Sequence, residues 1–512
     1  MNRYSSRREF LTRLIGAASV PTNGRGARVA FTFNGPQTAA ALLPVRGRHG
    51  IEYVGSATSH FQAEPLLYNE QGQPSVASDW DVEVVRRVRG EHSRIPYADV
   101  TNLPIFLQRK EEYFDRSAEL GENMFRFSFD FARLCPAKGQ FNEPLMAEYI
   151  KALLLIRVRG QEPFLTLHHF TMPRYLVQTD RNGNITAGAW ENPEVTQQFR
   201  FYLANMIRFL IDEKSVVSIL KTIDVSTEQR DAILHEGLVR YIMTINEPAV
   251  ILVNGYLTGT APPYKHSSFL ALSRVLARLV EIHDIAREQL KQGLRTQSRE
   301  PQVCVGHNWQ LFDGFIGNVV HDFQVQWTDR FERDGKHSDF LALHYYFRRT
   351  IPLSASASRL RDYSDQPTFG DIYPAGILSV LKMMHTRYPT KAIFVSELGF
   401  SDKNDRRRPF WLLETVRYII EAMGAGVAVK GILFWSLVNN FEWELGMSQK
   451  FGMFSEAELT TRPLAKQNHL YTWEVWRAAT TALTSPSPAT LARLQTLYER
   501  AHVQYKEAGG KY

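Results

Sequence analysis

Cysteine is scarce in this sequence, since Cys135 and Cys304 are the only two among 512 residues. Two cysteines exclude a disulfide framework and a cysteine-rich zinc motif, and apolar surroundings predict that both are inert core residues. The sequence also lacks any run of about 18 apolar residues, which argues against a transmembrane segment. With 44% hydrophobic and 22% charged residues, the composition is that of an ordinary globular protein.

Excess positive charge is confined to the N-terminal segment. The formal net charge is +7, but residues 1–50 hold eight Arg, no Lys and one acidic residue, so the remainder is neutral. A neutral remainder argues against nucleic acid as a partner. Ser6 to Leu11 resembles a twin-arginine export signal, but Arg13 interrupts the apolar stretch that follows, which also fits a disordered tail or a transit peptide. We expect a cytoplasmic protein, with export by the twin-arginine route as the alternative.

Short β-branched and apolar runs recur along the chain, and helical patterns separate most of them. Near-continuous apolar character is typical of strands buried on both faces of a parallel sheet. The clearest helical pattern spans 269–291. The chain is therefore predicted to be an α/β protein, a single (β/α)8 barrel over 51–480, followed by a helical tail over 481–512. The eight predicted strands are 51–57, 123–129, 163–169, 240–246, 302–307, 339–346, 392–397 and 431–437.

Several of these runs end in polar or charged residues. His169, Asn246, Glu247, His344 and Glu397 all stand at such ends. In a β/α barrel the carboxyl ends of the strands form the active-site face. A carboxylate that ends an apolar strand is costly unless it is paired or used, which is the physical reason to interpret the two glutamates as functional.

The tripeptide Asn-Glu-Pro occurs twice, at Glu143 and at Glu247. Glu143 precedes an amphipathic helical pattern, so Asn142 is predicted to cap that helix with Pro144 in its first turn. Glu247 instead follows the apolar run Tyr-Ile-Met-Thr-Ile, at the end of a predicted strand. Glu247 is therefore the candidate for chemistry, and a surface turn after the strand is the alternative.

The second candidate carboxylate is Glu397, which ends the predicted seventh strand just before Gly399. A buried salt bridge with an arginine such as Arg126 is the alternative, although it would also keep the carboxylate ionised. Two carboxylates at the mouth of one barrel favour glycoside hydrolysis.

Seven motifs in chain order resemble glycoside hydrolase family 1, the family of β-glucosidases and β-galactosidases. The resemblance runs from about Gly55 to Trp476 and so covers nearly the whole predicted barrel. The motifs are GSATSHFQAE (55–64), FRFSFDFARLCP (125–136), LTLHHFTMP (165–173), TINEP (244–248), ALHYY (342–346), VSELG (395–399) and FWSLVNNFEWELGMSQKFGMF (434–454).

The resemblance implies a role for each matched position. Glu247 would be the acid/base and Glu397 the nucleophile, with Arg126 and Tyr346 supporting the nucleophile. The implied sugar-binding residues are Gln62, His169, Asn246, Trp435, Glu442, Trp443 and Phe451, with Asn246 on the 2-hydroxyl. No cofactor is expected. No metal is expected either, because adjacent His168 and His169 point to opposite faces and no third ligand stands at metal spacing.

Five positions depart from the family pattern: Ser396 replaces Thr, Leu398 replaces Asn, Phe170 replaces Trp, His344 replaces Asn and Asn439 replaces Asp. None removes a catalytic carboxylate, but Phe170 and His344 bear on the sugar preference. The segments HHFTMP and SDKNDRRRPF are similar to the archaeal β-glycosidases and to the plant galactolipid-remodelling branch.

The resemblance implies a retaining β-glycosidase acting on β-D-glucosides or β-D-galactosides by double displacement. Its ligand would be a small β-glycoside or an oligosaccharide. Two alternatives stay open: a transglycosylating enzyme on glycolipid, and a non-catalytic glycan-binding barrel, which the presence of both glutamates disfavours. The sequence leaves the oligomeric state open.

Overall fold

The computed structural model describes residues 51–68, 71–296, 299–313, 315–333, 338–350, 371–461 and 469–510. The basic segment 1–50, with its twin-arginine-like motif, lies outside the described residues. Among the helices within these ranges, none combines the length and the apolar character needed to cross a membrane.

Eight parallel strands close into a barrel, as predicted. Each strand pairs with the next one along the chain, and the eighth returns to the first, with Tyr53 opposite Gly431. The strands are β1 (Tyr53–Ala57), β2 (Met124–Ser128), β3 (Glu162–Thr166), β4 (Tyr241–Asn246), β5 (Gln302–Asn308), β6 (Leu341–Tyr345), β7 (Ile393–Gly399) and β8 (Val429–Trp435).

Helices surround the barrel and connect successive strands. They are α1 (His60–Ala63), α2 (Asp79–Val88), α3 (Phe106–Glu119), α4 (Phe131–Leu134), α5 (Glu143–Val158), α6 (Val195–Ile211), α7 (Glu213–Leu220), α8 (Thr227–Glu236), α9 (Pro248–Leu252), α10 (Phe269–Gly293), α11 (Phe315–Glu332), α12 (Gly376–Arg387), α13 (Arg408–Gly424), α14 (Thr472–Thr484) and α15 (Pro488–Glu507). Short strand pairs lie outside the barrel at Leu67–Tyr68 with Pro74–Ser75, Gln178–Thr179 with Ile185–Ala187, and Leu311–Asp313 with Arg348–Thr350.

The local signals predicted for the start of one helix are confirmed. Asn142 caps α5, where its side chain accepts a hydrogen bond from the Leu145 amide, and Pro144 lies in the first turn. The helix predicted over 269–291 is α10. The predicted boundary between the barrel and the helical tail, at residue 480, lies inside α14. The last helix, α15, packs on α13, where the Tyr498 hydroxyl donates to Glu414 at 2.7 Å.

Aromatic side chains fill the barrel at the amino-terminal ends of its strands. Tyr53, Phe164, Tyr241, Phe340 and Phe394 pack together there, with the last two ring centroids 5.0 Å apart. Because aromatic rings pack this end, the described cavity lies at the opposite, carboxyl-terminal end of the strands.

The strand ends at that open mouth are irregular. The register shifts between Met243 and Asn246 where β4 meets β5, and at Leu343/His344 where β6 meets β7. Bulges of this kind re-aim side chains and are common beside active sites. Here they lie at or beside the polar residues predicted to be functional.

One other expectation concerns the two cysteines. Cys135 and Cys304 are both buried, and burial raises the pKa of the Cys135 thiol to about 12 and that of Cys304 well above its usual range. The predicted place of both cysteines in the core is therefore confirmed, and a raised pKa disfavours the reactive thiolate form. In the charged run after β7, Arg408 is buried and donates to the carbonyl oxygens of Lys450 at 2.7 Å and Gly452 at 2.8 Å, which ties this loop to the segment after β8.

Candidate active site

Glu397 lies in β7 near the open end of the barrel and is 3% exposed. Arg126 Nη1 donates to its Oε1 at 2.6 Å, and the Tyr346 hydroxyl donates to its Oε2 at 2.6 Å. One guanidinium and one hydroxyl thus stabilise the ionised carboxylate. The predicted support of Glu397 by Arg126 and Tyr346 matches this geometry.

Arg126 is fully buried in β2 and has several partners besides Glu397. Its Nη2 donates to Asn246 Oδ1 at 2.6 Å, its Nε donates to Thr166 Oγ1 at 2.9 Å, and its Nη1 also reaches the Ser396 carbonyl at 3.2 Å. Each of these groups comes from a different strand than Arg126. The guanidinium therefore orients Asn246 and Glu397 together.

Glu247 directly follows β4 and adopts a left-handed backbone conformation, with φ of 44°. A non-glycine residue in this region is strained, and such strain is concentrated at functional sites. Its Oε1 accepts a hydrogen bond from Asn308 Nδ2 at 2.8 Å and lies at the same distance from Nδ1 of His344. Burial raises the pKa of Glu247 to about 7, against the opposing effects of Asn308 and Arg126.

The two carboxylates therefore have different environments at a short separation. One oxygen of Glu247, one of Glu397 and Nδ1 of His344 all lie within 4.8 Å of one another. A carboxyl group with a raised pKa that faces a carboxylate paired with an arginine suits retaining glycoside hydrolysis, which uses carboxyl groups about 5–5.5 Å apart. The same three groups meet the spacing of a metal site, but the cation beside Glu397 is already the Arg126 guanidinium.

Further polar side chains line the same cavity as the two carboxylates. Gln62 Nε2 donates to Glu442 Oε2 at 3.2 Å, and Asn246 Nδ2 lies 3.4 Å from His169 Nε2. Burial, then repulsion from Glu444, Glu397 and Glu247, raises the pKa of Glu442 well above its usual range. These groups offer hydroxyl-binding donors and acceptors.

Aromatic rings also line this cavity. The His169 ring is nearly parallel to the rings of Trp435 and Trp443, with centroids 5.8 and 6.1 Å away and interplanar angles of 14° and 10°. Phe170 meets Trp443 edge to face at 5.0 Å, and Phe451 meets Tyr346 in the same way at 5.8 Å. All the sugar-binding residues predicted from the resemblance thus line one cavity.

His168 and His169 point to opposite sides of the barrel wall, as predicted. His168 packs edge to face on Trp190, with centroids 4.9 Å apart, and burial lowers its pKa to about 3. His169 is also buried, and burial followed by the positive charge of Arg126 lowers its pKa well below the usual range. Both rings are therefore neutral near pH 7.

The cavity has a volume of about 1380 Å³, much larger than one sugar ring requires. Its outer part is bounded by α11 and by the segment that follows Glu247. The apolar side chains of this outer wall are Val250, Val253, Leu257, Phe312, Val320, Phe323, Trp327 and Phe347. We call this set the apolar wall.

Sequence reasoning missed Asn308 and the apolar wall, and it gave no role to His344 beyond a departure from the family pattern. Asn308 is the last residue of β5, so the rule that picked Glu247 and Glu397 would have found it had the strand been extended by one residue. The apolar wall offered no comparable signal, because apolar residues on a helix are usually core.

The architecture and the two carboxylates define a glycoside hydrolase, and the sequence comparisons agree. The profile of glycosyl hydrolase family 1 matches residues 52–230 and 336–474, which is more than half of the chain. The chain belongs to glycosyl hydrolase family 1. Glu397 lies in the matched part, and Glu247 lies in the stretch between the two matched parts.

The similar proteins include members of the two branches named above, the archaeal β-glycosidases and the plant galactolipid-remodelling enzymes. The chain is 24% identical to a β-galactosidase of Sulfolobus acidocaldarius over 83% of this chain and 94% of that protein. It is 24% identical to the chloroplastic galactolipid galactosyltransferase of Arabidopsis thaliana, over 69% of this chain but about half (55%) of that protein. The crystal structure of a β-glucosidase from Pyrococcus furiosus superposes with a TM-score of 0.69 at 21% identity, covering 88% of this chain and 98% of that one.

Proposed function

We propose that this protein is a retaining β-glycosidase that hydrolyses β-D-glucosides or β-D-galactosides. The observation that carries the proposal is the contrast between two carboxylates whose oxygens approach within 4.8 Å: Glu247 has a pKa raised to about 7, and Glu397 is paired with Arg126. An acid and a nucleophile are the two roles that double displacement needs.

In the first step, ionised Glu397 attacks the anomeric carbon, and the glycosidic bond breaks. Glu247 gives its proton to the leaving oxygen, so that the aglycone departs as a neutral alcohol. Asn246, held by Arg126, is placed to bind the sugar 2-hydroxyl, a contact that strengthens in the transition state. The product of this step is a glycosyl ester of Glu397.

In the second step, the ester is cleaved by water. Esterification removes the negative charge of Glu397, so Glu247 loses its proton more readily than in the free enzyme. Glu247 then takes a proton from the attacking water and returns to the acid form. The sugar is released with its original configuration, because two inversions have occurred.

The experiment is hydrolysis of aryl β-glucoside and β-galactoside by the wild type and by Glu397→Ala, with and without azide. We expect turnover by the wild type, loss in the variant, and partial rescue by azide with formation of the α-glycosyl azide. Glu143→Ala is the matched control and should behave as the wild type. Folded wild-type protein that turns over no aryl β-glycoside would overturn the proposal and favour a binding-only barrel.

A second candidate function is glycosyl transfer to an apolar acceptor, and the apolar wall favours it. An acceptor with an acyl or aryl group would bury apolar surface against Phe323 and Trp327, and each square ångström buried contributes about 25 cal/mol. Water buries no apolar surface on this wall, so it would compete poorly with such an acceptor for the glycosyl group. The test is the ratio of transfer to hydrolysis with galactolipid in detergent micelles, compared with glycerol as a polar acceptor.

A further inference from the structure

His344 stands between the two catalytic carboxylates. Its side chain is fully buried in β6, and its Nδ1 lies 2.8 Å from Glu247 Oε1 and 3.4 Å from Glu397 Oε2. One ring nitrogen therefore contacts an oxygen of each group that reacts. A buried side chain in such a position can bias where a proton sits on its neighbours.

The imidazole of His344 is neutral near pH 7. Burial lowers its pKa to about 3, and the charge of Glu397 opposes this only in part, while Arg126 and His307 reinforce it. The titratable and charged groups that face the ring are Arg126 from β2, His169 beyond β3, Glu247 beyond β4, His307 from β5, Glu397 from β7 and Tyr346 beyond β6.

A neutral ring has one N–H, and the geometry decides which nitrogen carries it. Nε2 has no hydrogen-bond partner among the described residues. The ring edge is pressed against Gly306, where an added Cβ would lie 3.1 Å from Cε1 of His344. A proton on Nε2 would leave that N–H unpaired, and it would set the Nδ1 lone pair against Oε2 of Glu397 and, whenever Glu247 is ionised, against Oε1 of Glu247. The proton therefore belongs on Nδ1.

This tautomer constrains the acid. Glu247 Oε1 then accepts two N–H groups, one from His344 and one from Asn308, each at 2.8 Å. Both lone pairs of Oε1 are engaged, so a proton on this carboxyl resides on Oε2. We propose that His344 is a positioning residue that keeps the acid proton of Glu247 on Oε2, the oxygen available to the substrate.

The same N–H serves the second half of the reaction, and the inference here rests on the proposed function. In the free enzyme with both carboxyl groups ionised, the Nδ1–H of His344 is shared between Glu247 and Glu397. Once Glu397 carries the sugar as an ester, Glu247 is the only one of these two groups that can be anionic. The N–H is then available to stabilise ionised Glu247 as it acts as base.

The test uses the pair His344→Asn and His344→Leu. These side chains have similar shapes, but only Asn keeps an N–H donor near the position of Nδ1. For His344→Leu we expect kcat/KM to fall at least about tenfold for a phenyl β-glycoside, which needs acid catalysis, and less than about threefold for the dinitrophenyl glycoside, which does not. His344→Asn should keep the wild-type ratio between these two substrates.

The pH profile supplies a second readout. Loss of a donor to ionised Glu247 raises its pKa, so the alkaline limb of kcat/KM should move to higher pH in His344→Leu and stay in place in His344→Asn. Equal losses on both substrates with an unmoved limb would show that the ring only packs, and would overturn the proposal. Failure of the proposed function itself is distinct, since the wild type would then turn over neither substrate.

If His344→Leu does not fold, the tautomer can be measured in the wild type. Nitrogen-15 labelling of histidine, with His344→Asn to assign the signal, reports which ring nitrogen carries the proton. We expect Nδ1–H, and an Nε2–H signal would overturn the proposal.

Discussion

Arg126 donates to Glu397 across 2.6 Å in the interior of the barrel, where both side chains are at least 95% buried. Removing one partner of a buried ion pair leaves an uncompensated charge, which is more damaging than removing both. The pair therefore links catalysis to stability, and the two contributions can be separated by substitution.

Replacement of Arg126 by Met should reduce kcat/KM for an aryl β-glucoside by at least about a hundredfold, because Glu397 and Asn246 lose their common donor. It should also lower the free energy of unfolding by about 3–5 kcal/mol. The double variant Arg126→Met/Glu397→Gln should recover part of that stability. Equal denaturation midpoints for the single and double variants would contradict the buried-pair argument.

The raised pKa of Glu247 predicts a pH dependence of activity and of stability. As an acid, Glu247 should lose function as the pH rises through about 7, which sets the alkaline limb of kcat/KM. Because the folded protein holds this proton more tightly than the unfolded chain, the associated stability is complete below about pH 4.5 and is lost as the pH rises to about 7.

Glu247→Gln should therefore be more stable than the wild type above pH 7, by about 3 kcal/mol, while being less active on substrates that need acid. The difference in unfolding free energy should shrink towards acid pH. Glu143→Gln, on the exposed start of α5, is the matched control from the other Asn-Glu-Pro and should change neither property. A pH-independent stability difference for Glu247→Gln would contradict this prediction.

The apolar wall predicts selectivity for the aglycone. Trp327→Ala should raise KM about tenfold for a glycoside with a long alkyl or polycyclic aglycone, because less apolar surface is buried. It should leave methyl β-glycoside unchanged. Trp473→Ala, on α14 against Phe454, removes an equally large ring outside the lining of the cavity and is the control. Equal effects on both substrates would exclude a direct contact of Trp327 with the aglycone.

The buried side chain of Arg408 is expected to contribute strongly to stability, although it lies in a run of charged residues. Its guanidinium bridges the carbonyls of Phe400, Lys450 and Gly452, so Arg408→Met should lower the free energy of unfolding by about 3 kcal/mol or more. Arg406→Met, two residues earlier and partly exposed, should change it by less than about 0.5 kcal/mol. Chemical denaturation of the two variants measures this difference, and similar midpoints would contradict the predicted role of Arg408 in stability.

The positions of the barrel strands, and the meeting of Glu247 and Glu397 at the open end of the barrel, could be predicted from local pattern alone. An apolar run that ends in a glutamate is informative because a buried carboxylate is costly wherever the chain places it. The same logic separated Glu247 from Glu143, whose neighbours form a helix start rather than a strand end. Both distinctions depend on residues close in sequence, which is why they could be made without the fold.

The convergence of side chains on each carboxylate was decided by the tertiary structure. Asn308 and His344 come from β5 and β6, 61 and 97 residues beyond Glu247, yet both lie 2.8 Å from the same oxygen. That meeting depends on barrel closure and on register shifts at the strand ends, which no local pattern records. Hydrophobicity likewise identifies Phe323 and Trp327 as apolar, but only the packing of α11 at the mouth places them on a cavity instead of in the core.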